Sequence, residues 1–380
     1  MSSPTLTPSP SLRDRLRGAL WGLFVGDALA MPAHWYYDVG ALRRDYGLIR
    51  DYQAPHEHHP NSIMSLASTG RAGRGSQEGE VVGGLILKGK KGYWGRPHTH
   101  YHCGMRRGDN TLNLLCVRVL LRRLTASGGC DPVGFLRDYI DFMTSPDSHN
   151  DTYAESYHRD FFANYARGLV PERCAGAEGH DTASIGGLVS LPPVIFTAWV
   201  QQGRAAVSDA LLTQLRLTHH SPTLERYALA LGELLVALLE DPEARVDRLA
   251  RNLARRLGFD AGKALAKVQR EGLPDLAVIG GMLSPACYID QSFPAVLYLA
   301  TRYATDFEEA LVANTNVGGD NCHRGAILGA ILGTALGYAA IPPRWTLGLQ
   351  AQAQLESEIE GYLDRFLESN QASNEVPNHP

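Results

Sequence analysis

Asn314-Thr-Asn-Val-Gly-Gly-Asp-Asn-Cys-His-Arg-Gly-Ala-Ile-Leu-Gly-Ala-Ile-Leu-Gly-Thr-Ala-Leu-Gly337 sets a polar cluster directly ahead of an apolar run with glycine at every fourth position. Gly325, Gly329, Gly333 and Gly337 therefore line one face of a helix, because residues four apart stack above one another. Each interior glycine costs about 1 kcal/mol against alanine, so the stripe implies close approach by a neighbour. The cluster Asn314, Asn316, Asp320, Asn321 and His323 sits where that helix begins, beside its free N–H groups and positive dipole end. A carboxylate, amides and an imidazole placed there point to a site.

Arg17 to Pro32 repeats the design, with Gly18, Gly22 and Gly26 at the same spacing, followed by Asp27 and a terminating Pro32. Two such helices suit packing on each other at the centre of a bundle. Equally, each stripe could accommodate bulky neighbours. Helical periodicity continues through most of the chain, over 110–124, 132–143, 152–166, 188–202, 205–217, 222–239, 242–257, 261–271, 293–303, 307–313 and 347–367. No βαβ alternation and no G-x-G-x-x-G after a strand appear. The fold class expected is all-α. Residues 31–108 break the pattern, being rich in His, Gly, Tyr and Pro, and a connection of that length is usually functional. Residues 1–10 and 369–380 read as disordered tails, leaving one domain over 11–368.

The chain has 380 residues, is 44% hydrophobic and 20% charged, and carries a net charge of −4 without a long basic run. That balance argues against a nucleic-acid partner. No charged-then-apolar signal opens the chain, and the stretch from Gly325 to Ile341 is too short and glycine-rich to span a membrane. The six cysteines lack C-x-x-C pairs and read as reduced thiols of a cytoplasmic protein.

Four polar clusters could carry chemistry: Asp27 with His34 to Asp38, His98 to Thr111, Gly179 to Gly187, and Gly318 to His323. Three of them open a helix, where N–H groups favour anions. Each has a plainer reading as well. Asp109 and Asp320 suit N-caps, and the alternation of His98, His100 and His102 suits an exposed strand as well as a metal site.

Gly22-Leu-Phe-Val-Gly-Asp-Ala-Leu29, Thr218-His-His-Ser-Pro222, and Glu308 through Gly318-Gly319-Asp320 together resemble the ADP-ribosylglycohydrolase family, which includes the J-crystallins. The resemblance spans most of the chain. It implies a single large orthogonal helix bundle, two Mg²⁺ ions, and hydrolysis at the anomeric carbon of ADP-ribose. The family's two metal blocks fall on Gly108-Asp109-Asn110-Thr111 and Asp320-Asn321-Cys322-His323, and its catalytic glutamate falls on His34.

These departures replace hard oxygen donors. A full two-Mg²⁺ centre is not expected, whereas one divalent ion, Mg²⁺ by resemblance, has Asp109, Asn110, Asp320 and His323 as ligands. Cys322 and His323 would suit a softer ion such as zinc. The leading expectation is a divergent hydrolase acting on a small ADP-ribosyl or ribosyl compound. His34 or Asp27 would manage the proton beside Asp320, with Asp27 alternatively bracing the metal ligands. Ser184, Gly186, Gly187, Gly318, Gly319 and Asn316 would bind substrate, any pyrophosphate resting near Ser184 to Gly187. The alternatives are a non-catalytic, crystallin-like or ligand-binding scaffold, and a changed chemistry on an unrelated metabolite. A monomer is expected.

Overall fold

The structure, a computed structural model, describes residues 9–62, 64, 81–177 and 182–374. Among them are fifteen α-helices and isolated β-bridges but no sheet. In chain order the helices are α1 (Leu12–Ala30), α2 (Val39–Tyr46), α3 (Leu112–Ser127), α4 (Pro132–Thr144), α5 (Ser156–Ala166), α6 (Leu191–Gln202), α7 (Arg204–Arg216) and α8 (Pro222–Glu240). There follow α9 (Val246–Arg256), α10 (Ala261–Glu271), α11 (Ile289–Arg302), α12 (Phe307–Asn316), α13 (Asn321–Leu336), α14 (Pro343–Gly348) and α15 (Gln352–Asn374).

The two glycine-striped helices pack on each other, antiparallel, at the centre. Gly18 faces Gly333, Gly22 faces Gly329 and Gly26 faces Gly325, so closely that a Cβ at any of them would stand within 3.0 Å of the opposing carbonyl. Of the two readings open for the stripes, this is mutual packing. Both helices are buried almost throughout, and one apolar core surrounds them. Buried Arg15 donates to the carbonyls of Thr334 and Leu238, in the last turns of α13 and α8. It thereby satisfies acceptors that helix C-termini leave open. α15 closes the bundle over α1 and α3, with Arg13 and Arg17 paired to Glu356, Glu360 and Asp364.

Several boundaries differ from the sequence reading: α9 begins at Val246 and α11 at Ile289, each four residues from the expected start. α15 runs to Asn374, past the expected start of the tail at 369, while residues 1–8 and 375–380 lie outside the described residues. The long segment contains α2, capped by the Asp38 carboxylate accepting from the N–H groups of Gly40 and Ala41. α5 begins at Ser156 instead of Thr152, because Thr152 is taken up by the long segment. Its carbonyl accepts from Trp94 Nε1 and its hydroxyl donates to the Tyr101 carbonyl. The described part of 31–108 is thus packed into the core through Ile49, Tyr52, Trp94 and Tyr101. Residues 63 and 65–80 lie outside the described residues.

Candidate active site

The C-terminal end of α1 meets the N-terminal end of α3. Both Asp27 oxygens are engaged there, accepting from Asn110 Nδ2 (2.9 Å), the Thr111 N–H (2.8 Å) and the Thr111 hydroxyl (2.6 Å). Thr111, the N-cap residue, makes no side-chain cap of its own, so Asp27 caps α3 from a neighbouring helix. Burial lifts the Asp27 carboxyl above its usual range, against the pull of these hydrogen bonds. Asn110 spends its amide on Asp27 and the Phe24 carbonyl. Asp109 turns to the other flank, where it pairs with Arg106 and accepts from Asn150 Nδ2 at 2.6 Å. The structure therefore does not bring Asp109 and Asn110 to Asp320 as a common ligand set.

What it assembles instead is a buried chain of linked carboxylates and imidazoles. Asp151 accepts from the N–H groups of Leu112 and Tyr153 and contacts His102 Nδ1 at 2.8 Å. His102 Nε2 lies 2.7 Å from His34 Nδ1, and His34 Nε2 lies 3.1 Å from Asp320 Oδ1. His323 Nδ1 stands 2.9 Å from the same Asp320 oxygen and 3.5 Å from Glu155 Oε1. Among the described residues, buried Asp320 Oδ2 has no hydrogen-bond partner, and His323 Nδ1 is not aligned to donate one.

Burial takes the His34 imidazole down to about 3, against the pull of Asp320. Burial would also lower His323, but the charges of Asp320 and Glu155 outweigh it and push His323 up to about 10. Asp320 is held well below the usual carboxylate range by the His323 charge, although burial opposes this.

This chain ends at a cleft of about 530 Å³, counting the space at its mouth, lined by Trp35, Tyr37, Tyr101, Tyr153, Glu155, Ser156, Ser184, Ala286, Cys287 and Tyr288. Trp35 stacks on His34 (3.9 Å between ring centres) and meets Tyr101 and Tyr153 edge-on. It takes a left-handed backbone (φ 60°) and donates its N–H to the Gly319 carbonyl. No arginine or lysine lines the cleft among the described residues.

Of the residues expected to bind substrate, Ser184 lines the cleft and the others serve the scaffold. Gly318 and Gly319, both at positive φ, let the Tyr36 and Pro285 carbonyls approach. Gly186 makes room for the Glu155 carboxylate, and Gly187 for Leu224 and His219. A carboxylate against Gly186, on a four-residue 3₁₀ turn, is no cradle for pyrophosphate. Asn316 pins Ile49, exchanging hydrogen bonds with both its N–H and its carbonyl. His180 and Asp181 lie outside the described residues.

The sequence reading passed over Glu155 and Asp151. Their signal was an acidic pair, Asp151 and Glu155, immediately before a helix, with Glu155 in the N-cap position of α5.

Among the described residues, two groups have the donor atoms and proximity to hold a metal ion. They are His34, Asp320 and His323, and His34, His102 and Cys322, with the donors of each set within 4.8 Å of one another. Burial raises the Cys322 thiol far above its usual range, which disfavours the thiolate that metals bind. The first set adds a buried carboxylate oxygen without a donor, and its residues fit a single ion. With two nitrogens among three donors, they do not fit the all-oxygen sphere that Mg²⁺ prefers.

A family model described as ADP-ribosylglycohydrolase matches residues 8–375. Among solved structures, a chain described as "ADP-ribosylglycohydrolase-related protein complex" superposes with a TM-score of 0.57 at 21% identity, covering 93% of this chain and 98% of that one. At that identity the likeness is one of fold. No curated protein matches by sequence.

Proposed function

The chain belongs to the ADP-ribosylglycohydrolase family, and from that premise we propose that it hydrolyses a glycosidic bond of an ADP-ribose-like or smaller ribosyl compound. The observation that carries the reading is the position of Glu155. It lines the aromatic cleft and faces His323, which contacts Asp320 and through it His34. Glu155 is the acidic group of this network in the cleft, so it is placed to take or give the proton of an attacking water or leaving group.

His34 and Asp320 set the position and charge of His323, and Asp27 braces the segment leading into α3. Trp35, Tyr101 and Tyr153 offer rings against which a sugar or base can lie, with Ser184 available to a hydroxyl. A divalent ion, when bound, would add positive charge to orient ribose hydroxyls. The absence of cationic side chains from the described lining favours a small or weakly charged substrate over one bearing a pyrophosphate. The reading takes the protein to act in the cytoplasm as a monomer without a nucleic-acid or membrane partner. In support, no described helix is long and apolar enough to cross a membrane.

The test is a screen of ribosyl and ADP-ribosyl glycosides for release of a reducing sugar, followed by Glu155→Gln on the best substrate. The variant should lose about 10²–10⁴ in kcat with KM little changed. Turnover at the native rate would remove Glu155 from the mechanism. Ligand binding with no turnover by the native protein would favour the scaffold alternative.

A further inference from the structure

The hydrogen-bond chain behind His34 dictates more than its orientation. Asp151 is anchored as an acceptor, since its two oxygens already receive the N–H groups of Leu112 and Tyr153. Its remaining partner, His102 Nδ1, must therefore donate. With both rings neutral, His102 Nε2 is then an acceptor, and His34 Nδ1 donates to it across 2.7 Å. His34 Nε2 is left with a lone pair. That lone pair faces Asp320 Oδ1 at 3.1 Å, an acceptor facing an acceptor. Among the described residues Asp320 Oδ2 has no donor, and His323 Nδ1 comes within 2.9 Å of Oδ1 without an aligned hydrogen bond. All three residues are buried, so water does not relieve the repulsion. A divalent cation between them, displacing the proton that otherwise charges His323, does.

We propose that His34 Nε2, His323 Nδ1 and Asp320 form one binding site for a nitrogen-preferring divalent transition ion of the zinc class, in place of a magnesium centre. Ligands about 2.0–2.1 Å from such an ion stand roughly 3 Å from one another, and the 2.9 and 3.1 Å separations from Asp320 Oδ1 match that spacing. Two imidazoles and one carboxylate suit Zn²⁺ or Co²⁺, whereas Mg²⁺ favours oxygen and keeps its waters. The Asp151–His102 pair supplies the outer hydrogen bond that fixes the tautomer of a metal-binding histidine. Three protein ligands leave a further coordination position, as in catalytic zinc sites, and Glu155 lies between His323 and the cleft. Ion binding is independent of the hydrolase reading and is read without turnover.

The experiment strips the full chain with a chelator, titrates it with Co²⁺ while following visible absorption, and then competes with Zn²⁺ or Mg²⁺. One Co²⁺ per chain is expected, displaced by stoichiometric Zn²⁺ and retained against a hundredfold excess of Mg²⁺. His323→Ala should weaken binding at least a hundredfold. Asp151→Asn, which touches no ion, should weaken it roughly ten- to hundredfold. Displacement by Mg²⁺, absence of a cobalt band in the folded native protein, or native affinity in folded His323→Ala would each overturn the proposal. So would a thiolate-to-cobalt charge-transfer band, which would assign the ion to His34, His102 and Cys322.

Discussion

Buried histidines that the site does not use give the protein a calculable response to acid. His59 donates from Nε2 to the His34 carbonyl and accepts the Asn61 N–H at Nδ1, which suits only the neutral ring. Among the described residues His219 Nε2 has no hydrogen-bond partner. Burial lowers His59 to about 4 and His219 to about 3. The unfolded chain then binds more protons than the native one between those values and the ordinary 6.5. Stability is therefore retained above that value and lost as pH falls below it, by about 1 kcal/mol per pH unit for each ring. Urea midpoints at pH 7.5 and 5.0 should show the fall, and His219→Gln should make it shallower. An unchanged slope in that variant would sink the assignment. Single residues were also where the sequence was hardest to read. Asp27, His34, Asp320 and His323 stand out because glycine-striped helices begin or end beside them. Glu155 and Asp151 have no such marker, and only folding shows that one faces the cleft while the other is tied to α3.

At the level of elements, the α1–α13 crossing yields opposite signs for one kind of substitution. Gly22→Ala would set a methyl within 3.0 Å of the Gly329 carbonyl, where backbone cannot give way as a side chain can. The loss should be about 3 kcal/mol or more, well beyond the roughly 1 kcal/mol of helix propensity gained. Gly361→Ala, in α15 with no described atom within 4 Å of the added methyl, should instead stabilise by about 1 kcal/mol. Thermal melts of the two variants decide this, and a tolerated Gly22→Ala would mean that the helices can separate. The stripes were legible because glycine recurring every fourth residue weakens a helix and is kept where two backbones must touch. α2 was not, since eight residues amid His, Tyr and Pro leave too little periodicity to register. The ends of α5 and α15 also escaped, because the first depends on distant hydrogen bonds and the second on packing.

For the molecule as a whole, the last helix is structural. Leu355, Ile359, Tyr362, Leu363 and Phe366 are buried in the same core as α1, and the Tyr362 hydroxyl reaches the Pro193 carbonyl and Thr197 on α6. Truncation after Ala351 should abolish the cooperative thermal transition and leave a protease-sensitive chain. A truncated protein melting within a few degrees of the native one would show that α15 is dispensable.

The central crossing joins residues near opposite ends of the sequence, with Gly18 seated on Gly333. During synthesis α1 therefore emerges well before α13 and must wait for its partner while the residues between them are translated. At about 5–20 residues per second that wait is on the order of half a minute. Throughout it, an apolar helix stripped of bulky side chains on one face has no mate. The nascent chain is then a natural client for chaperones that shield apolar segments, and its yield in the cell should follow elongation speed more closely than the stability of the finished protein would suggest.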